Sequence, residues 1–128
     1  MRLRLLQEVF GILKLEPPQP FPDWLAAVTP FFLAQTEDEY SIICPQQIIP
    51  TNETVSRDWH CLRVDGDLEF DEVGVVARVS RPLADAGLSI FLVSTHDRDY
   101  VFFQENKRSE VVEIYRSLGW IVAENHPE

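Results

Sequence analysis

The chain is poor in cysteine, methionine and glycine, with two, one and five of them in 128 residues. Two cysteines allow at most one disulfide, so a disulfide scaffold is excluded. Both lie in apolar runs, Ile42-Ile43-Cys44 and Cys61-Leu62-Arg63-Val64, and read as reduced small hydrophobes on strands. No apolar run reaches membrane-spanning length. Arg2 and Arg4 with a few leucines are too short for a secretory core, and no small-residue cleavage site follows. A cytoplasmic protein is expected, in which Asn52-Glu53-Thr54 is no glycosylation site. Basic residues are also scarce, 11 against 21 acidic, for a net charge of −10. That balance argues against non-specific nucleic-acid binding and against an anionic membrane surface. It leaves cationic or zwitterionic small ligands open. No phosphate loop is present, and no serine or cysteine stands in a nucleophile context, so no catalysis and no cofactor are expected. His60, Cys61, His96 and His126 lack zinc spacing. The acidic run Asp65, Asp67, Glu69, Asp71 and Glu72 lacks the turn glycine and terminal glutamate of a calcium loop, so no metal is expected either.

What the chain does have is a hairpin written twice. Phe32, Leu33, Thr36, Asp38 and Tyr40 are echoed by Phe91, Leu92, Thr95, Asp97 and Tyr100 if one inserted residue is allowed. In each copy an apolar strand enters a polar turn and returns through a tyrosine-led strand. Such repetition points to two similar lobes, and the seam between like lobes is a natural ligand position. The length suffices for a core without metals or cross-links. Trp24, Trp59 and Trp120 read as packing anchors.

The apolar periodicity divides the chain at 58/59, into a partial amino-terminal lobe (1–58) and a carboxy-terminal domain (59–128), packed as one unit. In the first lobe residues 8–15 form a strand in which Gly11 marks a bulge or a close approach. Pro17, Pro18, Pro20 and Pro22 interrupt regular structure, Asp23 caps a short helix over 24–28, and strands over 31–35 and 40–44 form the first hairpin. Residues 51–58 are polar and read as a loop. The second half predicts a strand over 60–64 and a helix over 73–86 with Val76, Val79 and Leu83 inward. A hairpin over 88–94 and 100–104 follows. Asn106 is placed to cap a last helix over 107–118, with Val111, Ile114 or Tyr115, and Leu118 inward, before a strand over 120–123. Pro82 should bend or loosen the first helix. The order strand–helix–strand–strand–helix–strand is the split βαβ, ferredoxin-like pattern of an α+β protein, with antiparallel sheets and helices on one face. The first lobe is an incomplete copy.

The segments Phe70 to Ala77, Pro82 to Phe91, Ser94-Thr95 and Asp99-Tyr100 resemble the ACT domain. Together with Glu39-Tyr40-Ser41-Ile42-Ile43-Cys44-Pro45, they are similar to the tandem ACT proteins related to the CASTOR arginine sensors, of the small prokaryotic type. The resemblance spans about residues 36–104. It implies a non-catalytic regulatory protein that binds a small amino acid or related metabolite between its lobes, the candidate contacts being set by the motif positions. On that footing the backbone of Glu72, Val73, Gly74 and Val75 would offer amides at a helix start to a ligand carboxylate. Glu72 and Asp99 would hold its ammonium, Ser41 and Ile42 would reach it from the other lobe, and Thr95 and His96 would line its side chain. Asp71 reads as a helix cap. The chain departs from the pattern at His96, in place of an aromatic, and at Arg98, in place of threonine, so ligand identity does not carry over. A homodimer is expected. The competing expectation is a structural module that has lost its ligand and works by homo- or hetero-association.

Overall fold

The computed structural model describes residues 1–51, 53–65 and 73–124. The architecture is α+β, with eight strands and two α-helices among the described residues. The chain divides into two compact units, 8–59 and 1–7 with 60–128. Residues 1–7, expected with the first lobe, therefore belong to the second unit.

In the first unit, β2 (Phe10–Leu15) pairs with β4 (Tyr40–Pro45), which pairs with β3 (Phe32–Gln35). The other edge of β2 pairs with the first half of β5 (Val55–Val64), at Phe10↔Trp59, Ile12↔Ser56 and Leu13↔Val55. All these pairs are antiparallel. A register shift lies between Phe10 and Ile12, and opposite it Asp58 takes a φ of 69°. Gln46 fixes this irregularity: its side-chain nitrogen donates to Asp58 Oδ1 at 3.1 Å, and its oxygen accepts from Asp58 N at 2.7 Å. Residues 55–58, read as loop, are thus strand, because their backbone completes a ladder while Ser56, Arg57 and Asp58 face solvent and Val55 packs on the core. The expected helix over 24–28 is only a 3-10 turn, Asp23–Leu25, with Pro22 rather than Asp23 at the cap position and no side-chain cap. A second 3-10 turn covers Gln46–Ile48. Leu13, Leu25, Tyr40, Ile42, Cys44 and Ile49 form the core of this unit. Gly11 is packed so closely that a Cβ there would lie 2.7 Å from the Ile49 side chain and 2.8 Å from that of Val55.

In the second unit, β5 continues through residues 60–64. The missed strand β1 (Arg2–Leu5) pairs antiparallel with β5 and parallel with β8 (Ile121–Glu124). Its four residues carry only two leucines, Leu3 and Leu5, alternating with arginine, so the apolar signal is short. On the far side β7 (Asp99–Gln104) pairs with β5 and with β6 (Ile90–Ser94). Helices α1 (Val75–Asp85) and α2 (Arg108–Ser117) pack on one face, burying Val79, Leu83, Val111, Val112 and Tyr115 against Leu3, Leu5, Leu62, Val64, Val101, Phe103 and Val122. Tyr115 donates its buried hydroxyl to the Val79 carbonyl at 2.6 Å, and its ring stacks on Trp120 at 5.2 Å. This bond ties the two helices together. Val76 and Leu118, expected inward, are 45 % and 49 % exposed. Asn106 is not the cap of α2: a 3-10 turn over Glu105–Lys107 precedes the helix, and Lys107 holds the cap position without a side-chain bond. Pro82 is the eighth residue of α1, and the helix runs on past it to Asp85. Cys44 and Cys61 are both buried, and no disulfide joins them.

Candidate functional site

The start of α1 is built by Val73 and Gly74. Gly74 has a φ of +80°, a backbone conformation that disfavours a side chain, and nothing lies within 4 Å of where its Cβ would stand. Among the described residues no side chain caps the helix, although the Gly74 carbonyl accepts from Arg78 N at 2.9 Å. Val73 is 90 % exposed and Val75 packs against the core of the unit. Apolar side chains thus flank uncapped first-turn amides. Glu72, together with Asp71, lies outside the described residues.

The turn between β6 and β7 presents the next group. Thr95 organises it: its backbone N–H donates to the Arg98 carbonyl at 2.8 Å, and its hydroxyl oxygen accepts from Arg98 N at 3.2 Å. His96 is exposed, with Nδ1 2.7 Å from Asp97 Oδ1. Asp99 accepts a hydrogen bond from Ser94 Oγ at 2.5 Å. That bond occupies one of its carboxylate oxygens and leaves the other with acceptor capacity.

Ser41 and Ile42 belong to β4 of the first unit. Ser41 is half-buried and stands between Lys14 and Ala34 in register. Ile42 is wholly buried in that unit's core, and β4 is paired on both edges at its position, so its side chain is a packing group.

A charged cluster that the sequence did not single out centres on Asp65, just beyond β5. It receives Arg63 Nε at 2.5 Å, Arg98 Nη1 at 2.9 Å and Arg4 Nε at 3.3 Å. Burial pushes the Asp65 carboxyl upward, but hydrogen bonds from Arg63 and Arg4 and the charges of Arg63 and Arg98 outweigh it and hold it below the ordinary carboxylate value. The same bond raises Arg63. Arg98, which departs from the family pattern, is therefore bonded to Asp65 and fastens the Thr95 turn to the end of β5. In sequence Asp65 is one of five acids in a run; only its distance to three arginines distinguishes it. Among the described residues, no group of histidine, cysteine, aspartate and glutamate is arranged to hold a metal ion. No helix among them is long and apolar enough to cross a membrane.

The ACT domain family matches residues 54–117, and a second family, that of an N-terminal domain, matches residues 8–52. The human cytosolic arginine sensor for mTORC1 subunit 1 is 37 % identical over 57 residues, which is 44 % of this chain and 17 % of that protein. The chain thus spans less than a fifth of the length of the curated relatives it matches. A crystal structure of an Agrobacterium tumefaciens protein superposes with a TM-score of 0.92 at 30 % identity, covering 99 % of this chain and 95 % of that one. The ligand-free regulatory subunit of aspartate kinase from Thermus thermophilus shares the fold, with a TM-score of 0.64 at 13 % identity, over 90 % of this chain and 95 % of its own.

Proposed function

Taking as premise that the chain belongs to the ACT domain family, we propose that it is a regulatory, non-catalytic module that senses a small amino acid or a related metabolite. The observation that supports this reading is the start of α1. Among the described residues no side chain caps its first-turn amides, Gly74 leaves open space above the backbone, and Val73 and Val76 are exposed. Such a turn favours a carboxylate through its N–H groups and its dipole. Asp99, in the Thr95 turn, supplies negative charge for an ammonium. Val73, Gly74, Val75, Thr95, His96 and Asp99 are the proposed contacts in the second unit. The cytosolic arginine sensor among the relatives makes basic amino acids the first to try.

Micromolar affinity corresponds to about −8 kcal/mol, within reach of one clamped carboxylate and one paired ammonium shielded from water. Binding to the native state alone raises Tm in proportion to the logarithm of ligand concentration. A thermal-shift screen of the common amino acids at millimolar concentration should show one or a few stabilising ligands. Gly74→Val and Asp99→Asn should each remove the shift without unfolding the protein. Silence across the panel would defeat the sensor reading.

The exposed Phe91, Ile121 and Leu118, at 45 %, 58 % and 49 %, favour a second reading in which the module works by association, as a homodimer. Light scattering across a concentration series separates the two: ligand-independent dimers together with a silent screen support association, and ligand-shifted Tm in a monomer supports sensing.

A further inference from the structure

The first unit carries a cleft of about 500 Å³ that the ACT reading does not use. Its walls come from the proline-rich segment and its 3-10 turn: Pro20, Phe21, Pro22 and Trp24, with Leu15 at the base. Phe21 is 48 % exposed and is propped by Phe31, with ring centroids 5.9 Å apart. Trp24 packs one side on the core and lines the cleft as well, while the next residue, Leu25, is wholly buried and anchors the turn. Gln19 and two carboxylates, Asp23 and Glu53, complete the lining. No lysine or arginine lines it, and among the described residues neither acid has an ion-pair partner.

Aromatic faces beside unpaired carboxylates are a poor home for an anion and a good one for a cation. The ring quadrupole attracts positive charge at its face, and a neighbouring carboxylate adds Coulombic attraction. The volume lies within the range of small-molecule sites. We infer that this cleft is a second ligand site, one that takes a small organic cation, an ammonium or guanidinium on a compact apolar body. It would hold the charge between the aromatic rings and Asp23 and Glu53. The site is built from the first unit alone and stands or falls separately from the start of α1.

Calorimetric titration with choline and agmatine, each beside a neutral isostere of the same shape, tests the inference. One-to-one binding is expected, with the neutral isostere weaker by roughly tenfold. Asp23→Asn and Glu53→Gln should each weaken cation binding, and added salt should weaken it further. Trp24→Phe keeps the packing and an aromatic face, so it should retain most of the affinity. Trp24→Leu should lose it; a circular dichroism spectrum like that of the parent shows that the variant is folded. Gly74→Val should leave the titration unchanged. No heat at millimolar cation, equal binding of the isosteres, or binding indifferent to both acid substitutions would overturn the inference. So would binding of lysine- or arginine-bearing peptides with no binding of the free cations, since the source named here is a small molecule.

Discussion

The hairpins β3–β4 and β6–β7 make the same turn with the same residue and then diverge. Thr36 N–H donates to the Glu39 carbonyl at 2.9 Å, and its hydroxyl oxygen accepts from Glu39 N at 3.1 Å. Thr95 bonds Arg98 in the same two ways, at 2.8 and 3.2 Å. Register pairs Gln35 with Tyr40 and Ser94 with Asp99, so both turns have the same length. The inserted residue assumed in the sequence alignment is absent from the turn. Tyr40 corresponds to Asp99, and Tyr100 lies one position further on. Tyr40 is buried in its core, whereas Tyr100 is outside the core of its unit. Phe32, Leu33 and Thr36 do correspond to Phe91, Leu92 and Thr95, and both leucines pack on their own core. The lesson is that the turn chemistry is shared while the strand that follows has shifted by one, which sends an aromatic to the opposite face.

The units differ in the same manner. The second covers its sheet with two α-helices; the first uses 3-10 turns and a proline-rich segment. The sharpest way to break the comparison is to open a cavity under each cover. Leu83→Ala beneath α1 and Leu25→Ala beneath the 3-10 turn should each cost about 2–5 kcal/mol in denaturant unfolding. A far smaller loss for Leu25→Ala would show that the first unit's cover contributes little. Gly11→Ala forces a Cβ against Ile49 and Val55 and should cost about 1–3 kcal/mol. The same measurement checks it, and a neutral effect would mean that those two side chains yield freely.

Thr36→Ala and Thr95→Ala sharpen the likeness rather than the difference. Each should cost about 0.5–1.5 kcal/mol, and the two losses should agree. A larger loss at Thr95 alone would mark coupling through Arg98 to Asp65. The pH limbs separate the units again. The folded Asp65 carboxyl titrates below its unfolded value, so the stability it confers is full above that unfolded value and fades as pH falls through the folded one. Asp65→Asn should flatten this acid limb. Cys44, in the first unit, is pushed by burial from 9.0 to about 11. Its contribution is full below 9 and fades as pH rises through 11, and Cys44→Ala should flatten the alkaline limb in unfolding curves recorded across pH.

Much of the fold was legible. Helical spacing located α1 and α2, and alternation located both hairpins, because each element has one buried face. What escaped had no such signature. The strand β1 has two apolar residues, and residues 56–58 are polar on a strand whose pairing supplies the order. The displaced start of α2 arose because an additional 3-10 turn absorbed Asn106. Of the site residues, the motif pointed to the α1 start and the Thr95 turn, but it could not show that Ile42 is core.

The amino-acid sequence by itself determined the family, the helix faces and the two threonine turns, since these rest on local periodicity and on hydrogen bonds within four residues. Only tertiary structure decided that Asp65 gathers Arg4, Arg63 and Arg98, that β1 belongs with the second unit, and that Phe21, Trp24, Asp23 and Glu53 share one cleft. Those outcomes depend on which distant segments lie side by side, and charge, register and packing are settled only when the whole chain has closed on itself.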